Sequence, residues 1–303
     1  MPMRRTMSRH HPLMPFAAVA LGISTFSLMD ALMKNAALAV GAYNAMLFRS
    51  AVGLALMVPL WMLGGGRWPD ASALRLHALR GAISAAMAVT FFWGLVRLPL
   101  AEAIALSFIA PLIALYLAAV MLSEKVGRSA VGASLLGLAG VVAIGAARLG
   151  AKGFGPDAAW GIGAILVSAV LYAFNLIFQR KQAQIAGPQE VALFQTLFVG
   201  LFLSLFAPWL AQVPDARAMA DIAGGAALAM VSLMLISWGY GRAETQVLIP
   251  VEYSAFVWAA LLGWWMFGEA LGWTTLAGAV LIVIGCWIAA RQGKSEPTEQ
   301  TAL

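Results

Sequence analysis

Residues 69–97 read PDASALRLHALRGAISAAMAVTFFWGLVR, and residues 214–242 read PDARAMADIAGGAALAMVSLMLISWGYGR. Adding 145 to the numbering brings Pro69-Asp70-Ala71 onto Pro214-Asp215-Ala216, Trp93-Gly94 onto Trp238-Gly239, and Arg97 onto Arg242. The same offset carries Glu124 to Glu269, Gly140 to Gly285 and Asp30 to Asn175. With a shift of one, Leu47-Phe48-Arg49-Ser50 meets Leu193-Phe194-Gln195-Thr196. One offset held through several loops and apolar runs is the mark of a duplicated unit. Residues 1–150 are expected to form the first copy, 151–292 the second, and 293–303 a disordered tail, because KSEPTEQTAL is polar throughout.

The solvent of those units follows from composition. Of 303 residues, 62% are hydrophobic and 11% charged, against about 25% charged in a soluble domain. Nineteen basic and thirteen acidic side chains are too few to cover a soluble surface of this size. The mean hydropathy of +0.87 allows most of the chain to cross a bilayer. One cysteine, Cys286, rules out a disulfide scaffold, and with His10, His11 and His77 scattered in basic stretches no metal site is expected. No cofactor is expected either, and the net charge of +6 reads as membrane topology, not as nucleic-acid binding.

Apolar runs of spanning length, about 20 residues each, fall at 14–34, 43–63, 80–97, 100–122, 129–147, 159–179, 189–211, 222–241, 247–267 and 272–291. None alternates with period two, so helices and not a barrel follow. The run after Arg4, Arg5 and Arg9 outlasts the roughly 7 to 15 residues of a secretory signal and reads as an uncleaved first helix. Residues 62–79 read as the longest loop, and no histidine falls within a span. With the N-terminus cytoplasmic, thirteen Lys and Arg, Arg75 and Arg80 among them, lie inside and six lie outside. Each half holds five spans, an odd number, so the second enters the membrane inverted. The expected fold is an all-α integral membrane protein, ten transmembrane helices in a 5+5 inverted repeat. Such a pair of halves can open alternately around a site near the midplane; the alternative is a duplication that only builds a stable bundle.

The stretch Arg97-Leu-Pro-Leu-Ala-Glu-Ala-Ile-Ala-Leu-Ser-Phe108, with Ala110-Pro111-Leu112 and Leu122-Ser-Glu124, resembles the signature of the EamA family of the drug/metabolite transporter superfamily. Pro250-Val-Glu-Tyr-Ser254, Val257-Trp258-Ala259 and Phe267-Gly268-Glu269 are similar to that family's second copy. The resemblance implies a ten-helix carrier of the bacterial inner membrane with both termini cytoplasmic. It also implies a central cavity lined mainly by helices 3, 4, 8 and 9, with helices 1 and 6 nearby. Members carry amino acids, aromatic metabolites, nucleosides or purines, S-adenosylmethionine and riboflavin. Phe26 to Lys34 together with Phe48-Arg49-Ser50 is similar to the branch of S-adenosylmethionine and riboflavin importers.

An ionisable group inside a span costs about 2.5 to 3.5 kcal/mol and asks for a reason. Glu252, just after Pro250, is the deepest acid. It is read as a substrate contact or a coupling proton site, or else as an acid satisfied by a neighbouring helix. Pro111 interrupts the fourth span as Pro250 interrupts its repeat partner, and paired interruptions point to a transport site. Asp30 and Lys34 are spaced as an i,i+4 ion pair, and Arg49 is neutralised by Asp30 or Glu102. Arg97 and Glu102 read as an interfacial pair, and Glu124 and Glu269 as helix-end acids that close loops. Asp30, Arg49, Pro111 and Pro250 are thus candidates for coupling or gating.

Trp93, Phe108, Tyr172, Trp238, Tyr253 and Trp258 sit on spans expected around the cavity. They are read as a surface for a planar ring or as bundle packing, with Ser107, Asn175, Gln179, Gln195 and Ser254 offering hydrogen bonds. Ser107 and Glu252 are repeat partners. The expected function is secondary transport of a small amino-acid-like or aromatic metabolite, with the lipid bilayer and the substrate as partners. A membrane-embedded enzyme lacks a nucleophile, base or metal constellation, and no Walker-type run supports nucleotide hydrolysis. A channel is the remaining class.

Overall fold

The computed structural model describes residues 13–122, 156–242 and 254–270, with isolated positions beyond them such as Leu248 and Val251. They form α1 (Leu13–Val40), α2 (Ala42–Leu63), α3 (Ala71–Leu95), α4 (Leu100–Ser107) and α5 (Ile109–Leu122) in the first half. The second half supplies α6 (Pro156–Ile185), α7 (Pro188–Ser204), α8 (Ala207–Leu210), α9 (Ala216–Tyr240) and α10 (Ser254–Phe267). No strand occurs among the described residues. Five helices there, α1, α2, α3, α6 and α9, are long and apolar enough to cross a membrane. Large apolar side chains face outward, as at Trp265 and Trp209, while Arg80, His77 and Gln182 are buried. That inversion of the soluble pattern belongs to a protein solvated by lipid.

Repeat-related helices begin alike. Asp70 accepts from the Ala73 amide at 2.8 Å, and Asp215 accepts from the Ala218 amide at 2.7 Å, each satisfying an orphan donor of the first turn. These caps correct two sequence expectations. The third span starts at Ala71 and not at 80, and the eighth at Ala216 and not at 222. The stretch 62–79 is therefore mostly helix. Hydropathy misplaced the boundary because Arg75, His77 and Arg80 depress it, although His77 and Arg80 are turned inward.

Two expected spans, 100–122 and 189–211, are each broken in two. Pro111 has no N–H to bond the Ser107 carbonyl, so α4 ends at Ser107. Phe108 N instead donates three residues back, to Ala105 O at 3.2 Å. Pro208 acts identically on Ser204, where α7 ends, and Phe206 N donates to Leu203 O at 3.0 Å.

The halves interleave. α1 packs along α9 and α6 along α3, α2 meets α7, α5 lies on α6, and α10 lies on α1. Each of these seams joins one half to the other, and exchanging the halves maps the seams onto one another. The repeated Trp-Gly pairs allow the closest approaches. A Cβ on Gly94 would lie 2.7 Å from Gly161 O, and one on Gly239 would lie 3.1 Å from Pro15 O. In a bilayer, where burial in lipid gives no hydrophobic drive between helices, such backbone contact and satisfied polar groups hold the bundle.

Candidate functional site

The interleaved seams enclose a cavity of about 190 Å³, lined from α1, α2, α3, α4, α6, α7, α9 and the start of α10. Its walls combine Phe26, Phe91, Phe92, Phe108 and Tyr172 with several methionines, and a few polar groups interrupt them.

The first polar group is built on two stripes. His77, Arg80 and Ser84 recur at helical spacing on α3, and Asn175, Gln179 and Gln182 do so on α6, so both stripes face the α3–α6 seam. Arg80 is 1% exposed. Its Nε donates to Asn175 Oδ1 at 2.8 Å, Nη2 to Gln179 Oε1 at 2.8 Å, and Nη1 to Gln182 Oε1 at 2.5 Å. Ser84 Oγ donates to the same Asn175 oxygen at 3.0 Å. The three amides fix the guanidinium without neutralising it, since among the described residues no carboxylate lies within ion-pair distance of it. Two of its five N–H groups are left over from these bonds, and the side chain lines the cavity.

Behind Arg80, the Gln182 amide nitrogen lies 2.8 Å from His77 Nδ1. His77 Nε2 lies 3.2 Å from Glu190 Oε1 at the start of α7. The imidazole stacks on Phe194, with ring centroids 5.0 Å apart.

Asp30 and Arg49 form the second polar group, on α1 and α2. Both line the cavity, and each is the charge that acts on the other, although they do not reach the 4 Å of an ion pair. Arg49 Nη1 lies 3.3 Å from Met29 Sδ. Gln195 on α7 is a third feature: its buried Oε1 lacks a hydrogen-bond partner among the described residues, and the side chain lines the same cavity.

Of the residues singled out from sequence, Asp30, Arg49, Ser107, Phe108, Tyr172 and Asn175 are brought together at the cavity. Trp93, Trp238 and Trp258 are not among its lining residues. Successive residues on a helix point about 100° apart, so α3 gives Phe91 and Phe92 to the cavity and turns Trp93 outward. The Arg97 guanidinium covers Trp93 at 3.5 Å, and Arg242 covers Trp238 at 4.2 Å. Trp258 is 40% exposed. Glu252, Tyr253 and Pro250 lie outside the described residues, as does Glu124; for Pro111, only its place in the first turn of α5 is described.

Two expected pairs are corrected. Lys34 does not bond Asp30. Its Nζ meets Glu269 Oε1 at 2.6 Å and donates to Leu98 O at 2.9 Å, while Leu100 N donates to Glu269 Oε2 at 2.7 Å. Glu102 adds a further negative charge acting on Lys34. Arg97 donates to Trp93 O at 2.6 Å and forms no ion pair with Glu102. The sequence reading missed Arg80, counted only as a topological charge, and His77, counted as a loop residue. The signal that finds them is the matched polar stripe on α3 and α6.

A model of the EamA-like transporter family matches residues 13–146 and again 159–291. The Pseudopaline exporter CntI of Pseudomonas aeruginosa is 26% identical over 274 residues, 89% of this chain and 93% of its own. An S-adenosylmethionine uptake transporter of Rickettsia bellii is 24% identical over 87% of this chain and 88% of its own. One solved crystal structure, 23% identical, covers 92% of this chain and 99% of its own with a TM-score of 0.67, and so shares the fold. With both halves matched and a largely apolar cavity with a few buried polar groups between them, this multi-pass membrane protein belongs to the EamA-like transporter family.

Proposed function

We propose that this transporter is a secondary carrier of the bacterial inner membrane, with both termini cytoplasmic. It moves a small amphipathic metabolite, amino-acid-like or with an aromatic or heteroaromatic part, by alternating access around the cavity. The observation that carries the reading is Arg80, a buried cation fixed by three neutral amides with N–H groups to spare. A charge kept inside a membrane protein is a functional-site hypothesis by default, here with no carboxylate paired to it among the described residues, and a guanidinium fork suits a carboxylate. The aromatic wall of Phe26, Phe91, Phe92, Phe108 and Tyr172 supplies a stacking surface for a ring.

Import of S-adenosylmethionine is a second reading. Asp30 and Arg49, side by side yet unbonded, are placed to take the ammonium and carboxylate of an amino-acid group. The relative from Rickettsia bellii bears that substrate in its name. Counterflow in proteoliposomes against amino acids, nucleobases, flavins and S-adenosylmethionine tests both. Saturable exchange of a carboxylate-bearing metabolite is expected. Non-saturable flux, or exchange confined to sugars or inorganic ions, would overturn the proposal.

A further inference from the structure

We propose that His77 is the proton-coupling site of this transporter, linked through Gln182 and Arg80 to a carboxylate in the cavity. The inference rests on the reading that Arg80 receives a carboxylate, and it follows from the direction of hydrogen bonds. Arginine only donates, so the Gln182 atom 2.5 Å from Arg80 Nη1 is the amide oxygen. The other end of that amide is then NH2, and it donates to His77 Nδ1 at 2.8 Å. Nδ1 is therefore an acceptor, and the ring proton resides on Nε2, directed at Glu190 Oε1. In this arrangement His77 is neutral.

A second proton on Nδ1 would face the Gln182 NH2, donor against donor. It is accommodated when the Gln182 amide turns over and offers its oxygen to His77. The NH2 group then confronts Arg80, which loses one of its three acceptors. A carboxylate entering from the cavity has one oxygen for the spare N–H groups and a second that takes the place of the Gln182 oxygen at Nη1. One proton and one carboxylate thus enter together, and the net charge of the cluster does not change. Each favours the other by the same factor, as linkage requires.

The surroundings fit this use. The charged groups facing His77 are Glu190 from α7 and Arg80 from its own helix, with the Gln182 amide from α6 and the Phe194 ring closing the site. The imidazole is fully buried, whereas the Glu190 side chain against its Nε2 is 24% exposed. The repeat does not copy the device. The positions related to His77 and Gln182 are Ile222 and Ala37, and with the shift of one that holds on α2 and α7 the position related to Glu190 is Asn44, so the histidine and the acid beside it occur in one half only.

The protein has three histidines, so H10N/H11N leaves His77 as the single one. Nitrogen-15 spectra of that full-length variant in nanodiscs are expected to show the Nε2–H tautomer. An Nδ1–H tautomer would overturn the proposal without reference to any substrate. Calorimetry with phenylacetate as the probe, in buffers of different ionisation enthalpy between about pH 5 and 8, then counts protons taken up per carboxylate bound. Uptake is expected for the wild type, together with binding about tenfold tighter at the acid end.

His77→Gln and Gln182→Met are expected to bind phenylacetate with no proton uptake. Wild-type binding without uptake, or uptake undiminished in Gln182→Met, would overturn the coupling and leave the carboxylate reading standing. If neither phenylacetate nor any carboxylate of the counterflow panel binds, the reading beneath falls and the inference with it.

Discussion

α1 and α6 are the same helix of the repeat, and they carry opposite chemistry. Asp30 and Lys34 on α1 occupy the register of Asn175 and Gln179 on α6. On the helices they pack along, α9 carries Ile222 and Gly225 at the positions where α3 carries His77 and Arg80. At these registers the charges lie on α1 in one seam and on α3 in the other, although α9 keeps a carboxylate next to Ile222: Asp221 accepts from Asn35 Nδ2 of α1 at 2.5 Å. Duplication kept the backbone, down to the Asp caps and the Trp-Gly contacts, and redistributed the charge. Where α1 meets the end of α10, the ion pair of Lys34 with Glu269 also holds the Leu98–Leu100 connection. At the α3 seam, amides hold a charge without cancelling it. An ion pair opens only at the cost of two desolvated charges, whereas an amide can turn over and offer its other end. The first seam is built to stay shut and the second to respond to what enters the cavity.

The largest effect is expected at the responsive seam. Arg80→Gln removes the fixed cation, and losing one partner of a buried charged contact costs about 2–5 kcal/mol. Transport in proteoliposomes should fall about 100-fold or more, while the variant still elutes as a monodisperse species. Arg80→Lys should not restore it, because an ammonium cannot bond three amides in the plane of a guanidinium. Wild-type counterflow in Arg80→Gln would remove the basis of the comparison.

At the other seam the effect is on stability. Lys34→Met strands Glu269 beside the Leu100 amide, at a cost of about 3 kcal/mol, somewhat less for the 18% of the Glu269 side chain that stays exposed. Thermal melts in detergent should show the loss. The double variant Lys34→Met/Glu269→Gln should recover a good part of it, since no buried charge is then left unpaired. If the double variant is as unstable as the sum of the singles, the latch is not an interacting pair.

The contrast between the seams also explains how much could be read from sequence. The repeat, the helical class and the spans at 14–34, 43–63 and 159–179 were legible, because apolar runs and a constant offset survive any arrangement of side chains, whereas the expected spans 129–147 and 272–291 fall largely outside the described residues. The interruption at Pro111 was legible because a missing N–H acts locally. Arg80 and His77 were not: on a hydropathy scale a buried arginine and a cytoplasmic one look the same, and only the facing amides on α6 tell them apart. Lys34 was assigned to Asp30 because four residues on one helix are near in sequence, whereas its partner Glu269 lies 235 residues away.

Two smaller effects bear on the cavity itself. Ser107, repeat partner of Glu252, lines it, and Glu252→Gln is expected to lower transport about tenfold, about 1.4 kcal/mol, with membrane insertion unchanged. Counterflow and membrane fractionation check both halves of that statement. For an aromatic substrate, Phe92→Ala should weaken binding by about 1 kcal/mol, the scale of a lost ring contact. Trp93→Ala, one residue along but turned away, should change affinity less than twofold, about 0.4 kcal/mol. Equal losses in binding titrations would mean that α3 presents a different face to the substrate.

Effects of similar size belong to the feature that the halves share, the aspartate caps. Asp215→Ala should destabilise the protein by about 1 kcal/mol, and Asp70→Ala should act in the same direction. Asp70 adds a dependence on acid. The Ala73 amide, and after it the Ser72 hydroxyl, hold its carboxyl below the usual carboxylate range. A carboxyl whose folded value is depressed contributes fully above its unfolded value, near pH 4, and that contribution is lost as the pH falls through the folded value. Wild type and Asp70→Ala should therefore differ in melting temperature at pH 6 and converge toward pH 3. Asp70→Asn, which caps without ionising, should stay above Asp70→Ala at both. A gap between wild type and Asp70→Ala that persists unchanged at pH 3 would show that the cap holds α3 by geometry alone. The charge at Asp70 would then be as dispensable as the repeat has made it elsewhere.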